Sequence, residues 1–213
     1  MLFSTWLMFV VSGIAIALSP GSGAILSMSH GLAYGLRKAS ATVLGLQLGL
    51  LLVLAVAGAG VGSLLVASEL AFNIVKAVGA LYLIYLGVMQ WRAPVTVPEV
   101  GGAAASVAAP TAARRIMTGF LTNATNPKGI IFMVAVLPSF INQKAPLLPQ
   151  LAILGVTMVV IDTVVMHGYA YLASSMQRFF RDQRALRAQN RFFGAVLMCM
   201  GGALFFFKRG TPA

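Results

Sequence analysis

Residues 151–173, LAILGVTMVVIDTVVMHGYAYLA, form an apolar run with a single carboxylate, Asp162, near its middle. About 20 apolar residues are enough for a helix to cross a bilayer. A charge at the bilayer centre costs about 3 kcal/mol on insertion scales, so such a residue usually faces the protein interior and marks the path of an ion or substrate. The run therefore predicts a membrane protein that moves a small solute past Asp162.

Composition extends this prediction to the whole chain. The 213 residues are 59% hydrophobic and 9% charged, and the mean hydropathy is +0.91. No soluble domain of this length hides that much apolar surface, because small folds leave much of their area in water. We predict an all-α integral membrane protein, one transmembrane domain of six transmembrane helices near 2–26, 40–66, 70–91, 114–140, 149–173 and 190–208.

The basic residues that give the chain its net charge of +11 are concentrated in particular loops. Ten basic residues fall in alternate loops: Arg37, Lys38, Arg92, Arg114, Arg115, Arg178, Arg181, Arg184, Arg187 and Arg191. The opposite side carries only Lys144, Lys208 and Arg209. The positive-inside rule then places the ten in the cytoplasm and both termini on the outer side. Basic juxtamembrane segments are an ordinary topology signal, so the lipid bilayer is the expected partner and nucleic acid is not.

A Pro/Gly/Ala-rich stretch at 93–113 divides the chain and predicts a cytoplasmic linker. It separates a first three-helix repeat, 1–92, from a second, 114–209. Since three helices per half is an odd number, the second half enters the membrane from the opposite side. This is the inverted-repeat design of many secondary transporters, whose site lies between the repeats near mid-membrane.

An offset of 115 residues relates positions in the two halves. It pairs Lys76, Gly79, Ala80 and Gly87 with Arg191, Gly194, Ala195 and Gly202. It also pairs Gln47, in the second predicted helix, with Asp162 in the fifth. The alternative is chance, because Gly and Ala are abundant in this chain.

Prolines predict breaks in the first and fourth helices, at Pro20 and Pro127. Proline removes a backbone donor and clashes with the preceding turn. Freed N–H groups at the start of the following half-helix can seat an anion such as an amino-acid carboxylate. The alternative is a kinked helix repaired by its neighbours. The predicted substrate-binding residues at the breaks are Pro20, Gly21, Ser22, Gly23, Asn123, Asn126, Pro127 and Lys128.

Asp162 is the candidate for coupling transport to protons, because Glu69, Glu99 and Asp182 lie in predicted loops. A carboxylate that holds either a proton or a substrate ammonium, never both, gives obligatory exchange by competition. The alternative is a structural role in which Asp162 pairs with Lys128 or accepts a hydrogen bond from Gln47.

Two further side chains, Gln47 and Tyr169, complete the predicted site. Gln47 is expected near Asp162, and Tyr169 follows it by seven residues on nearly the same helical face, which favours a pocket-lining role. Lys128 is open to three roles: countering Asp162, binding a substrate carboxylate, or snorkelling to the interface.

Other classes of protein fit less well. The single cysteine, Cys199, predicts neither a disulfide framework nor a metal cluster, and no metal or cofactor is expected. A membrane-embedded enzyme that uses Asp162 with His167 is disfavoured, because no second membrane carboxylate or nucleophile–base pair is visible. A cation exporter would need several oxygen ligands.

Motifs spread over the whole chain carry a family resemblance. They are Ser19-Pro20-Gly21, Gly35-Leu36-Arg37-Lys38, Gly45-Leu46-Gln47, Tyr82-Leu83-x-Tyr85-Leu86-Gly87, Met89-Gln90-Trp91-Arg92-Ala93, Asn126-Pro127-Lys128 and Leu137-Pro138-x-Phe140. The chain thereby resembles the LysE/RhtB superfamily of bacterial amino-acid exporters, most of all its homoserine/homoserine-lactone efflux branch. Ser22 stands where many members have a second proline.

The resemblance implies a proton-coupled exporter (antiporter) of small neutral amino acids and derivatives such as homoserine, homoserine lactone or threonine. It implies a multi-pass protein of the bacterial inner membrane, and a homodimer is expected. The motif residues carried over are Pro20, Gly21, Gly23, Asn126, Pro127 and Lys128. The alternative within transport is export of leucine, lysine or a cation on the same scaffold.

Overall fold

The computed structural model describes residues 1–67, 69–93, 110–142, 144–175 and 183–206. These residues form eight α-helices, one 3-10 helix and no strand. The α-helices are α1 Phe3–Leu18, α2 Ser22–Tyr34, α3 Leu36–Ala67, α4 Glu69–Arg92, α5 Ala112–Ala124, α6 Pro127–Val136, α7 Leu147–Ser175 and α8 Gln183–Phe206. The 3-10 helix, Leu137–Phe140, follows α6 directly. The fold is therefore all-helical, as predicted.

Among the described residues, two single helices are long and apolar enough to cross a membrane: Leu36–Gly60 within α3, and α7. Two bent pairs also pass the same test, α1 with α2 (55°) and α5 with α6 and the 3-10 helix (50°). The described residues thus contain two to four candidate spans. The remaining predicted stretches, 70–91 and 190–208, lie mainly in α4 and α8, helices of 24 residues each. Six spans in two inverted repeats stay a prediction.

The two bends lie at the predicted prolines. α1 ends at Leu18, and the extended residues Ser19 and Gly21 flank Pro20 before α2 begins. Pro127 is the first residue of α6, where the missing N–H of a proline costs no helical hydrogen bond. Each bend is therefore a break between two half-helices.

Three boundaries differ from the prediction. The first helical stretch does not stop near residue 26, because α2 continues through polar residues until Gly35, whose φ of 76° favours glycine. Glu69, predicted in a loop, is the first residue of α4. The linker 93–113 lies largely outside the described residues, as do Glu99 and Asp182, and its last residues open α5.

Glycines bring helix backbones into direct contact. A Cβ on Gly119 of α5 would lie 2.9 Å from Leu46 N of α3, and one on Gly49 would lie 2.6 Å from Phe120 O. Gly87 of α4 and Gly194 of α8 are reciprocal, since a Cβ on either would lie 2.6 Å from the carbonyl oxygen of the other. Such small-residue contacts are how membrane helices pack closely.

Two apolar clusters form the interior. The larger joins α1, α3, α4, α6, the 3-10 helix, α7 and α8, and in it the rings of Phe9 and Phe140 meet edge-on at 5.2 Å. The smaller joins α2, α3 and α7 around Leu46 and Met166. α7 also presents an outward apolar face typical of lipid contact, formed by Leu148, Ile153, Val156, Val160, Val164 and Tyr171. A cavity lies where the two clusters meet.

Candidate functional site

A cavity lies between the two helix breaks and is bounded by residues of both apolar clusters. The space among its lining atoms is about 500 Å³, counting the part open to solvent. Its polar lining residues are Ser19, Asn123, Asn126, Lys128 and Asp162. The cavity therefore brings together the two predicted breaks and the predicted membrane carboxylate.

Asp162 faces this interior rather than the lipid side of α7. Its side chain is 8% exposed, and Oδ2 accepts a hydrogen bond of 2.8 Å from Gln47 Nε2. Gln47 is buried, does not line the cavity, and its Oε1 has no hydrogen-bond partner within the described part of the chain. Gln47 thus holds the carboxylate from behind, while Asp162 itself meets the cavity.

Lys128 reaches across the cavity to the end of the other broken helix. Its Nζ donates hydrogen bonds to Ser19 O and, over 3.1 Å, to Ile16 O. Carbonyl oxygens at a helix C-terminus carry partial negative charge, so an ammonium there is favourable. The lysine therefore joins the start of α6 to the end of α1, and its ammonium binds carbonyls while Asp162 bonds to Gln47.

The first break turns a helix N-terminus toward the cavity. Gly21 caps α2 without a side-chain hydrogen bond, and the bond from Ile25 N to Gly21 O is the first of the helix. The N–H groups of Ser22, Gly23 and Ala24 consequently lack a partner within the helix. Gly21, Gly23 and Ala24 line the cavity, so this edge carries partial positive charge.

Two amide side chains at the second break bond to backbone, one in α3 and one at the start of α6. Asn123 Nδ2 donates to Leu46 O at 2.7 Å, and Asn126 Oδ1 accepts from Lys128 N at 3.1 Å. Both residues also line the cavity. Asn126 therefore caps α6 and lines the cavity, whereas Asn123 lines the cavity and ties the end of α5 to α3.

The other predicted site residues do not line the cavity. Pro20, Ser22 and Pro127 belong to the breaks but are not lining residues. Tyr169 is also not a lining residue; its hydroxyl donates to Leu18 O at 2.7 Å and ties α7 to the end of α1. Tyr169 thus supports the first break from outside the cavity.

Several lining residues were missed by sequence reasoning. The Ser19 hydroxyl is 1% exposed and has no hydrogen-bond partner among the described residues. Phe132, Met133, Met158 and Met166 form an apolar wall. Met158 and Met166 stand four residues before and after Asp162, so helical spacing alone could have placed them on its face.

The side chains of the cavity can bind a small molecule, but few of them could catalyse a reaction. Over the described ranges, no group of three His, Cys, Asp or Glu side chains could hold a metal ion. In His167, the partner of Asp162 in the disfavoured enzyme alternative, Nδ1 lies 2.9 Å from Thr163 O and Nε2 lies 3.2 Å from Ser40 Oγ. The cavity combines one carboxylate, one ammonium and an uncapped helix N-terminus, which suits the binding of a small zwitterion.

Comparison with known proteins finds relatives that match nearly the whole chain. A homoserine/homoserine lactone efflux protein of Salmonella typhimurium is 40% identical over 96% of this chain and 97% of its own length. An uncharacterized membrane protein of Vibrio cholerae is 37% identical over 92% and 94%. A leucine efflux protein of Klebsiella pneumoniae is 29% identical over 91% of each chain. No solved structure matches the chain significantly.

The LysE type translocator family matches residues 14–207, nearly the whole chain. Two of the three relatives are efflux proteins, and among the described residues two single helices and two bent pairs are long and apolar enough to span a membrane. The chain therefore belongs to the LysE type translocator family and is a transporter rather than an enzyme.

Proposed function

We propose that this chain exports small neutral amino acids and their derivatives, such as homoserine, homoserine lactone or threonine, across the bacterial inner membrane in exchange for protons. The observation that carries the proposal is the buried Asp162 carboxylate, which lines a cavity between two broken helices. The efflux proteins named among the relatives support the class of substrate.

The polar groups of the cavity match the two ends of an amino acid. Its ammonium would bind Asp162, which has room for further hydrogen bonds beside the one from Gln47. Its carboxylate would bind the free N–H groups at the start of α2. A lactone lacks the free carboxylate but keeps the ammonium, so one site at Asp162 serves both.

Coupling would follow from competition for the carboxylate. A proton from the outer side neutralises Asp162 and displaces the substrate ammonium, and loss of that proton to the cytoplasm restores the site. One buried carboxylate cannot bind a proton and a substrate ammonium at the same time. The proton and the substrate therefore cross the membrane only in exchange for each other. A passive channel would lack this dependence on the pH gradient.

The inverted repeat gives this exchange its alternating access. Support comes from the hydrogen bond between Gln47 and Asp162, since it joins two residues at equivalent positions of the halves. A two-fold axis through the cavity would bring such a pair together. In this topology the start of α3 and the end of α7 face the cytoplasm, and both termini lie outside.

Transport by inverted membrane vesicles tests the proposal. An acidic lumen should drive uptake of labelled homoserine and threonine, and a protonophore should abolish that uptake. Parallel assays of leucine, lysine and a monovalent cation separate the alternatives on the same scaffold. Uptake that ignores the pH gradient would overturn proton exchange and indicate a channel.

Asp162→Asn sharpens the test. The variant keeps an acceptor for Gln47 Nε2, so the protein should still insert in the membrane, yet proton-driven uptake should be lost. Glu69→Gln, at the first residue of α4, is the matched control that removes a carboxylate elsewhere and should transport normally. Full pH-driven activity of Asp162→Asn would remove Asp162 as the coupling group.

A further inference from the structure

Two methionines flank the carboxylate on the cavity side of α7. Met158 and Met166 stand one helical turn before and after Asp162, so their side chains share its face. They are 4% and 5% exposed, and both line the cavity. A substrate bound to Asp162 would therefore lie between the thioether groups of the two methionines.

The same methionines meet the broken helix on either side of its bend. A Cβ on Gly13 of α1 would lie 3.2 Å from Met158 Sδ, and one on Gly23 of α2 would lie 3.7 Å from Met166 Sδ. Each sulfur thus occupies space that a glycine leaves open. The two side chains fill the gap between α7 and both half-helices, which sets the width of the cavity at Asp162.

The rest of this wall is apolar. Phe132 and Met133 of α6 lie across from α7 and are each 1% exposed. The only charged residues among the described lining are Asp162 and Lys128, and the Lys128 ammonium already bonds to carbonyls of α1. A charged substrate side chain would lose its hydration here without gaining a partner.

We propose that Met158 and Met166 are the residues that determine which side chains the transporter accepts. Resting on the proposed function, this inference identifies the substrates as amino acids with neutral, short side chains and excludes lysine and glutamate. Because the two side chains narrow the cavity beside Asp162, the wall admits a short chain such as that of homoserine and limits longer branched chains by volume.

The inference is tested by the ratio of leucine to homoserine export, each measured at equal amounts of protein in the membrane. Met158→Ala and Met166→Ala enlarge the pocket, and each should raise the ratio about tenfold, the scale of discrimination for a few methylene groups. Met166→Phe fills the pocket and should lower the ratio. Met117→Ala, on the outer face of α5 where the side chain is 56% exposed, removes the same atoms and should leave the ratio unchanged.

The outcomes separate this inference from the proposed function. If the wild type exports homoserine but the enlarged and filled variants keep its ratio within twofold, the selectivity role is overturned and the proposed function stands. If the alanine variants fail to insert, Met166→Phe decides by itself, with an unchanged ratio counting against the role. If the wild type exports neither amino acid, the proposed function fails. Export of lysine at the rate of homoserine would also overturn the stated substrate class.

Discussion

Gln47 Nε2 and Asp162 Oδ2 are joined by a hydrogen bond of 2.8 Å between α3 and α7. Both residues are buried, and only Asp162 lines the cavity. A carboxylate held by a neutral donor keeps its charge available for a guest, whereas one paired with a lysine would be neutralised permanently. Within the described residues, the hydrogen bond to Gln47 leaves the carboxylate without a side-chain cation bonded to it, and the Gln47→Leu variant tests whether this bond serves export or only the fold.

Gln47→Leu should reduce homoserine export about 10- to 100-fold, because a hydrogen bond to a charged group is worth about 1.5–3 kcal/mol. The measurement is the initial rate of pH-driven uptake by inverted vesicles. Gln90→Leu is the matched control, since Gln90 Nε2 donates to Asn190 Oδ1 at 2.7 Å between α4 and α8, away from the cavity. Equal losses in the two variants would indicate a general effect on folding.

Lys128→Met should reduce the export of homoserine and of homoserine lactone to the same extent. The variant removes the ammonium that bonds to Ile16 O and Ser19 O, so it loosens the break used by both substrates. Export of each substrate by the same vesicle preparation measures the effect. A loss confined to homoserine would instead assign Lys128 to the substrate carboxylate, which the lactone lacks.

Gly21→Ala should lower the export rate several-fold while leaving the amount of protein unchanged. The added Cβ would lie 3.1 Å from Lys128 Nζ and 3.2 Å from its Cε, tighter than an ordinary contact, so the lysine must shift. Gly129→Ala is the control at a second lining glycine, where the nearest atoms are 3.9 Å from the added Cβ. Export by Gly129→Ala should match the wild type.

Gly119→Ala should destabilise the fold by about 1–3 kcal/mol, the usual range for overpacking. Its Cβ would overlap the backbone of α3 at Thr42 O and Leu46 N, and backbone cannot move aside as a flexible side chain does. Thermal unfolding in detergent measures the change. Gly168→Ala adds a Cβ with no atom within 4 Å and should be neutral or slightly stabilising.

The breaks and the buried acid could be predicted because local chemistry determines them. Pro20 and Pro127 cannot continue a helix that precedes them, and Asp162 is too costly to leave in lipid. The repeat offset pairs Gln47 with Asp162, and the hydrogen bond between them is the structural alternative that the sequence left open. These features depend on the residue itself or on a regular offset, so the sequence contains them.

The partners of the remaining polar groups depend on how helices pack, which residue types alone do not report. Lys128 was open to three roles, and its bonds to α1 follow from the crossing of α6 with that helix. Tyr169 faces the break rather than the cavity for the same reason. The methionine wall was missed because apolar residues in a span usually contact lipid or core, and only the cavity distinguishes these.

Asp162 is the one carboxylate of the chain inside a predicted span, and this has an electrical consequence for the exchange proposed above. A single acid trades one proton for one ammonium. Zwitterionic homoserine leaving against one incoming proton moves one net charge inward, so membrane voltage contributes about 2.3 kcal/mol per 100 mV. Protonated homoserine lactone carries a charge of its own, and its exchange moves none. Export of homoserine would thus use both the membrane voltage and the pH gradient, whereas export of homoserine lactone would use the pH gradient alone. Both would depend on Asp162.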